Sequence, residues 1–501
     1  MKVDVIKKYF QSWLDNDVEI VKQTFSENAL YSECYGPEYH GLSQIVTWFE
    51  NWNNKGQVLE WTIKRIFEQN QTLIVEWYFR CNYDGKIDGF DGVTIADFDK
   101  DMKILFPTWK SFGVEDIKET FEKLGHSVLL YKNEPKNYRI DPKYKSEIKK
   151  YIRENNVDAV FTSNFYPVIS DGCNDIKIPY LSWCYDSPLI LTYSKSVFNE
   201  VNRIFIFDSL MVQELRSLGV ENVWYMPMAV NEKRLEKMSI SAQDRKIVES
   251  DVSFVGRLYT EEHNLYDRME PKLDDYTKGY LEGIMESQRL IYGYTFIEEL
   301  LTPDIVEKMM TAMPVKVQEN GMESIEYIYA NYFLCRKMTQ LDRTGIFKYL
   351  GENLPNIKLE NGKSIAPMKL YTSEPTPWLK GIKNMGEVHY MYEMPLVFKY
   401  SKINLNITLR SIRNGIPLRA IDIMGAGGFL LTNYQSDFAM HFVDGEDFVS
   451  YSDREDMLEK IKYYLVHEDE RKAIAENGCK KVREEHTYTQ RLSEIVGTVQ
   501  P

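Results

Sequence analysis

The sequence is poor in the features that mark polyanion binders, secreted disulfide scaffolds, zinc proteins and membrane spans. No stretch is dominated by lysine and arginine, and the 501 residues carry 61 basic against 75 acidic side chains, a net charge of −14. Nucleic acid and anionic membranes are therefore excluded as principal partners, because both require basic groups that release counterions. Cysteine is scarce: Cys34, Cys81, Cys173, Cys184, Cys335 and Cys479 are scattered, with no C-x-x-C and no nearby histidine pair. That spacing excludes a disulfide framework and a zinc site, and points to reduced thiols in a cytoplasm. The opening MKVDVIKKYFQSWLDND is charged throughout, so no signal peptide is expected. No run approaches about 18 uninterrupted apolar residues, so no transmembrane segment is expected either. Internal repeats and low-complexity segments are also lacking. What the sequence does have is length, enough for about three domains with their own cores. It is also rich in aromatics, 13% of residues with 34 Tyr and 9 Trp, which serve packed cores and ring platforms for polar ligands alike.

Residues 1–101 read as helices followed by antiparallel strands. Ile6, Phe10, Trp13 and Leu14 form an apolar stripe at helical spacing, and Ile20, Val21 and Phe25 begin a second helix. Strand-like runs follow in ALYSECYG, VLEWTIKRIFEQ, TLIVEWYFRCNY and GFDGVTIADFD, the middle two separated by the turn former Asn70. The element order, the words YSECYGPEYHG and FDGVTIADFD, and the helix carrying Trp48 and Trp52 resemble the SnoaL-like, or nuclear transport factor 2-like, superfamily. The resemblance implies an α+β cone and says little about activity, since members include isomerases, small-ligand binders and dimerisation modules. The concave face of such a cone would present Tyr31, Glu33, His40, Glu76 and Arg80. A facing Glu and His transfer protons if burial brings their pKa values toward neutrality; otherwise the five form a satisfied hydrogen-bond network. A pocket filled by Trp or Tyr rings would speak against a small-ligand activity. Relatives continue past FDKDMKI with a last long strand, whereas Met102 opens something different, so the cone either lacks its closing strand or borrows one.

From Met102 strands alternate with helices of about a dozen residues, the pattern of a parallel, doubly wound sheet. Residues 102–235 hold the strands MKILFPTW, SVLLY, DAVFTSN, IPYLSWCYDSP and RIFIFDS and the helices VEDIKETFEKLGH, PKYKSEIKKYIRENN and LMVQELRSLG. Residues 236–501 begin with a charged linker and repeat the pattern from DVSFVGRLY. A helical insertion over about 271–350 intervenes before KLYTSE, INLNIT, GFLLTN and FVSYS, and one long charged helix closes the chain. Two Rossmann-like halves in tandem, preceded by the cone, outline an α/β GT-B arrangement, and the cleft between the halves is the default active site.

The chemistry concentrates in NITLRSIRNGIPLRAIDIMGAGGFLLTN. Asn414 and Asp422 are eight residues apart, with Gly415 and Pro417 at the mouth of a helix and Gly425, Gly427 and Gly428 at its end. Unpaired amides near Gly415 and Ile416 suit an anionic diphosphate. The layout resembles the donor-binding segment of retaining, family 4-like GT-B glycosyltransferases, whose two glutamates share this spacing. The resemblance places Asp422 on the ribose hydroxyls and Asn414 beside the sugar. An amide there can hydrogen-bond a hydroxyl but cannot stabilise positive charge at the anomeric carbon. Arg419, three residues before Asp422, is the candidate to neutralise the leaving diphosphate; the alternative is a surface ion pair with Asp422. Gly256 and Arg257, at the end of that half's first strand, are a second phosphate candidate, and Lys383 a third.

The blocks SWCYDSPL, YMPMAVN, FVGRLY, GEVHYMYEMPLVFKYSKINLNIT and GIPLRAIDIMGAGGFLLTN resemble, in that order, the spore-maturation-protein (CgeB-like) glycosyltransferases over roughly residues 102–495. The resemblance implies that the loop Gly386 to Tyr390, with Val388 inside it, cradles the nucleotide base; the alternative is a tight turn. Asp186, ending a first-half strand and flanked by Trp183 and Tyr185, whose rings could stack on a sugar, is the candidate catalytic base or acceptor-positioning group; its alternative is a turn or cap residue before Ser187-Pro188. His126 reads as a helix-end dipole partner and His389 as a neighbour of the base site. Asp97 and Asp99 fall at a domain junction and read as a turn rather than a D-x-D metal site. The expectation is a cytoplasmic, metal-independent glycosyltransferase without a cofactor, taking a nucleotide-sugar donor, a UDP-sugar, and a protein or glycan acceptor, with a homodimer through the N-terminal domain. Its rivals are a non-catalytic nucleotide-sugar or carbohydrate binder, motivated by Asn414, and a small-ligand activity in the cone.

Overall fold

The computed structural model describes residues 2–26, 29–69, 71–98, 101–109, 111, 113–261, 264–360 and 362–499. The expected turn residues Asn70 and Asp99 lie outside them. Two compact units emerge: residues 1–103, 120–127 and 489–501, and residues 104–119 and 128–488.

The first unit opens with α1 (Lys2–Asp15) and α2 (Val18–Thr24). The hairpin β1 (Leu30–Ser32) and β2 (Glu38–His40) leads to α3 (Leu42–Asn53). Three antiparallel strands follow, β3 (Gly56–Gln69), β4 (Thr72–Tyr83) and β5 (Lys86–Asp97), in the order β3-β4-β5. The helical stripe seen in the sequence buries Ile6, Tyr9, Phe10 and Trp13, and Asp17 caps α2 by accepting the amides of Glu19 and Ile20. Period-two alternation sends Leu73, Val75, Phe79 and Cys81 of β4 to the buried face. The buried space is filled by rings. Phe10 stacks on Trp61 at 4.1 Å, and Trp13 meets Trp48, Phe49, Trp52 and Trp61 at 4.7–6.0 Å. No fourth strand joins β3-β4-β5 among the described residues. The next strand, β6 (Lys103–Pro107), belongs to a parallel sheet instead.

The second unit holds two six-stranded sheets. The first half runs from β6 through α4 (Val114–Lys123), β7 (Ser127–Tyr131), α5 (Pro142–Glu154), β8 (Ala159–Ser163), α6 (Pro167–Ile176) and β9 (Tyr180–Cys184). It continues with β10 (Asn202–Ile206), α7 (Ser209–Ser217) and β11 (Val223–Tyr225), and its strand order is β11-β10-β9-β8-β6-β7. The strands β8 and β9 are buried along their whole length, as a sheet covered by helices on both faces demands.

After α8 (Glu232–Lys237) and α9 (Ala242–Val248), the second half starts at β12 (Ser250–Val255). The insertion contributes α10 (Leu265–Met269), α11 (Asp275–Arg289), α12 (Pro303–Ala312), α13 (Ile325–Ile328) and α14 (Cys335–Asn353), with its own core around Leu281, Met309 and Phe333. Then come β13 (Met368–Tyr371), β14 (Ile382–Asn384), α15 (Met394–Tyr400), β15 (Ser401–Asn406), α16 (Leu418–Gly425), β16 (Leu430–Asn433) and β17 (Val449–Tyr451). The closing segment is not one helix: α17 (Arg454–Val466) and α18 (Glu468–Glu485) break at His467, whose φ of −88° and ψ of 69° leave the helical region, before α19 (Tyr488–Gly497). The order β14-β13-β12-β15-β16-β17 is parallel throughout, so the chain leaves β12 toward one edge and returns through β15 toward the other. Two doubly wound sheets in tandem are the GT-B architecture, and the reversal between β12 and β15 is where such a sheet meets its ligand.

Candidate functional site

At the carboxyl end of β12 the backbone turns at Gly256, whose φ is +154°; a Cβ there would meet the Phe254 ring at 3.2 Å. Arg257 follows, exposed and in no ion pair among the described residues. The next three residues are held by a carboxylate that the sequence did not advertise. Glu374, in the loop after β13, accepts the amides of Leu258, Tyr259 and Thr260 at 2.6, 3.1 and 2.7 Å and the Thr260 hydroxyl at 2.5 Å. Burial alone would raise its pKa, but these four hydrogen bonds hold it below the ordinary value. Tyr259 takes a left-handed φ of +61° to bring the amides together.

Two arginines brace the same place, Arg343 buried and Arg419 half-buried. Arg343 of α14 donates to the Arg257 carbonyl at 2.5 Å and to the Ile407 carbonyl at 2.6 and 3.2 Å, tying the loop after β12 to the end of β15. Its guanidinium lies over the Phe254 and Tyr259 rings, and burial lowers its pKa. Arg419, in the first turn of α16, donates to the Val255 carbonyl at 2.8 Å, while its Nε is buried without a partner. It forms no ion pair with Asp422, so the surface-pair alternative is not what the fold builds. Burial lowers the Arg419 pKa, with Asp422 acting against that shift.

Asp422 itself accepts the Tyr390 hydroxyl at 3.2 Å on Oδ1, and its Oδ2 is buried with no partner. Burial pushes its carboxyl up to about 6, against the opposing pull of Arg419 and Tyr390. Asp422 and Tyr390 line a small cavity with Arg234, Val230, Met394 and Tyr488. Arg234 reaches across to Asp116 of α4 at 3.0 Å and to the Met391 carbonyl at 2.8 Å. The Gly386 loop is shaped by its own side chains: Gly386, at φ +84°, donates to Asn384 at 2.9 Å, and His389 donates its amide to Glu393 at 2.6 Å. Val388 lies half-buried between them. Gly256, Arg257, Arg419, Asp422 and Tyr390 are therefore gathered around the reversal of the second sheet. Lys383, exposed on the edge strand β14, is two strands away from β12.

Asn414, Gly415 and Ile416 lie just before α16, against the first half. A Cβ on Gly415 would meet the Phe207 ring at 2.8 Å and the Phe207 carbonyl at 2.9 Å, so glycine allows the backbones to touch. Ile416 is buried. Asn414 donates from Nδ2 to Ser209 Oγ at 3.2 Å. Asp186, just past β9, keeps its side chain open to solvent and accepts Asn164 Nδ2 at 2.8 Å. Asn164, at a left-handed φ of +75°, takes the amides of Tyr185 and Asp186 on its other end. The surrounding protein raises the Asp186 pKa, chiefly by desolvation, and the hydrogen bond from Asn164 opposes that shift. Trp183, by contrast, is buried in β9 and packs against Tyr488, so it is no sugar platform.

The five residues of the expected cone pocket are not brought together. Glu76 and Arg80 point to the face of β4 opposite the buried one, where Glu76 pairs with Arg65 at 2.6 Å. His40 is exposed beside Glu38, and Tyr31 packs into the ring cluster near Trp48. Glu33, half-buried, has its pKa raised by desolvation. The parity of a strand decides this: residues 76 and 80 share the parity opposite to Val75 and Phe79.

Residues 345–497 match the family described as glycosyl transferase-like, and residues 6–105 match the SnoaL-like domain. The two matches lie toward opposite ends of the chain, and neither spans half of it. Among solved structures, it is similar to a glycosyltransferase from Rickettsia africae ESF-5, with 11% identity, 80% of this chain, 99% of that chain and a TM-score of 0.44. It is also similar to Anabaena HepE in complex with UDP and glucose, with 11% identity, 79% and 100% of the two chains and a TM-score of 0.42. A shorter match is an LEH-like epoxide hydrolase from M. tuberculosis, with 12% identity, 20% and 73% coverage and a TM-score of 0.19. No curated protein matches the chain in sequence.

Proposed function

We propose that this protein is a metal-independent, retaining glycosyltransferase of the CgeB-like, family 4-like type, moving a sugar from a UDP-sugar to a protein or glycan acceptor. The observation that carries this reading is Asp422: a buried carboxylate at the reversal of the second sheet, with one oxygen on Tyr390 and the other unpartnered. A buried acceptor without a donor is costly, and a pair of ribose hydroxyls supplies what it lacks. Beside it, Arg257 and Arg419 meet the charge of the diphosphate, and Asp186 accepts the acceptor's proton. No cofactor enters this scheme. No helix among the described residues is long and apolar enough to cross a membrane, and six unpaired cysteines suit a cytoplasmic site of action.

The cone is read as a dimerisation module. Its interior is occupied by aromatic rings, which disfavours a small-ligand activity. Its outward sheet face carries a row across the three strands, Phe67 opposite Ile74 and Ile74 opposite Ile95, all exposed. Flanking ion pairs, Arg65–Glu76 and Lys64–Asp91, fix its polar border. A self-complementary patch of this kind suits a two-fold homodimer.

The test is incubation of the full chain with a panel of UDP- and GDP-sugars while following nucleotide release. Transfer or hydrolysis with a UDP-sugar is expected. Tight binding with neither would instead favour a non-catalytic nucleotide-sugar binder.

A further inference from the structure

We propose that Asp437 and Ser209 form a hydrogen-bonded relay that orients and polarises Asn414, so that its carbonyl oxygen serves the donor sugar where a carboxylate would otherwise stand. This rests on the glycosyl-transfer reading above.

The relay joins three segments distant in sequence. Asp437, in the turn after β16, donates its amide to the Asn414 carbonyl at 3.1 Å. Its carboxylate accepts the Ser209 amide at 3.0 Å and the Ser209 hydroxyl at 2.5 Å. Ser209 opens α7 in the first half, and its oxygen accepts Asn414 Nδ2 at 3.2 Å. The hydroxyl has one proton, and the ionised carboxylate can only accept it. The Ser209 oxygen therefore offers Asn414 a lone pair, which only the amide nitrogen can use. That fixes which end of the Asn414 side chain faces the protein. Oδ1 is directed to the other side and takes no hydrogen bond among the described residues.

The same geometry accounts for an amide at this position. Asp208 already accepts the amides of Arg413 and Asn414 at 2.9 and 3.4 Å. A carboxylate at 414 would add a third acid beside Asp208 and Asp437, facing a hydroxyl whose proton is committed. With asparagine, the amide nitrogen meets the Ser209 oxygen and the Ser209 hydroxyl meets the carboxylate, so the negative end of the series lies on Asp437. Hydrogen bonds in series polarise one another by about 10–30% each, so charge on Asp437 enriches Oδ1 through Ser209. Asp437 is fully buried and acts through Asn414 as a positioning residue. Ser209, one bond nearer, does the same.

Calorimetric titration of the full chain with UDP and with UDP-glucose, UDP-galactose and UDP-N-acetylglucosamine, joined to turnover measurements, tests the relay. Wild type is expected to bind UDP, and to bind its cognate UDP-sugar more tightly. Asp437→Asn and Ser209→Ala should each keep UDP affinity within about twofold, abolish the extra affinity given by the sugar, and lower kcat about tenfold. Adding Asn414→Asp to Asp437→Asn returns a carboxylate and should recover part of kcat, whereas Asn414→Asp alone should lower it. Unchanged sugar increment and kcat in both single variants overturn the relay and leave glycosyl transfer standing. Equal losses for UDP and for the donor also overturn it, since they report a disrupted junction between the halves. If wild type binds neither UDP nor any of the donors, the glycosyl-transfer reading itself fails, and the relay with it.

Discussion

Tyr390 and Asp422 meet at 3.2 Å, hydroxyl to Oδ1, across the small cavity beside α16, and the second carboxylate oxygen has no partner. The phenol satisfies half of the carboxylate, and burial raises its pKa to about 6 despite Arg419. An acid so placed stores unfavourable energy in the empty protein that a hydroxyl-bearing ligand relieves.

Asp422→Asn should therefore stabilise the unliganded protein at pH 8 while weakening UDP binding. Between the ordinary value of 3.8 and the folded value of about 6, the folded chain keeps a proton that the unfolded chain has lost. Stability thus falls as pH rises through that window and stays low above it. Removing the charge should gain on the order of 2 kcal/mol at pH 8 and nothing at pH 3.5. Thermal unfolding across that range measures this. UDP affinity should drop by about 1–3 kcal/mol; titration showing unchanged affinity would remove Asp422 from the ribose site.

Glu374→Ala should release the loop that presents Arg257. Three amides and one hydroxyl lose their acceptor, a cost of about 2 kcal/mol in stability, and donor affinity should fall with it. Because the folded pKa is depressed, the stabilisation is full above the ordinary glutamate value of 4.5 and is lost as pH falls through the folded value. Urea unfolding of both proteins at pH 7 and at pH 3 measures the difference, which should shrink at the lower pH.

The parts of this architecture that were readable in the sequence are those written in local period. The strands β6 to β10 and β12, β15 and β16 announced themselves as apolar runs between helices, and the glycines after β12 and before α16 marked close approaches. Two short strands, β11 and β14, carried too few residues for a period to register. Glu374, Arg343 and Asp437 were invisible for another reason. The partners of their side chains lie 114 to 116, 64 to 86 and 228 residues away along the chain, and a lone charged residue in a loop or helix looks the same whether it faces solvent or a backbone amide. Glu76 and Arg80 were misplaced because the face of β4 that points inward is set by α1 and α3, which pack on it.

Arg257→Ala and Arg419→Ala should separate binding from folding. The Arg257 guanidinium is exposed and unpaired among the described residues, so its loss should leave the melting temperature unchanged and weaken UDP binding by about 1–3 kcal/mol. Arg419 holds the Val255 carbonyl, so Ala there should lower both stability and affinity. Calorimetry and thermal unfolding of the two variants give the comparison. Equal stability losses would mean that Arg257 is structural.

Ile95→Asp should turn a dimer into a monomer without unfolding the cone. Ile95 stands 68% exposed on the outward face, opposite Ile74 and in line with Phe67, so the substitution disturbs no buried contact. Against a second copy, it would bury a carboxylate in an apolar row, a cost of several kcal/mol unless it is paired. Light scattering of the full chain at matched concentrations reads the mass, and far-UV circular dichroism reports whether the sheet is intact. A monomeric wild type would remove the homodimer. A dimeric Ile95→Asp variant would move its interface off this face.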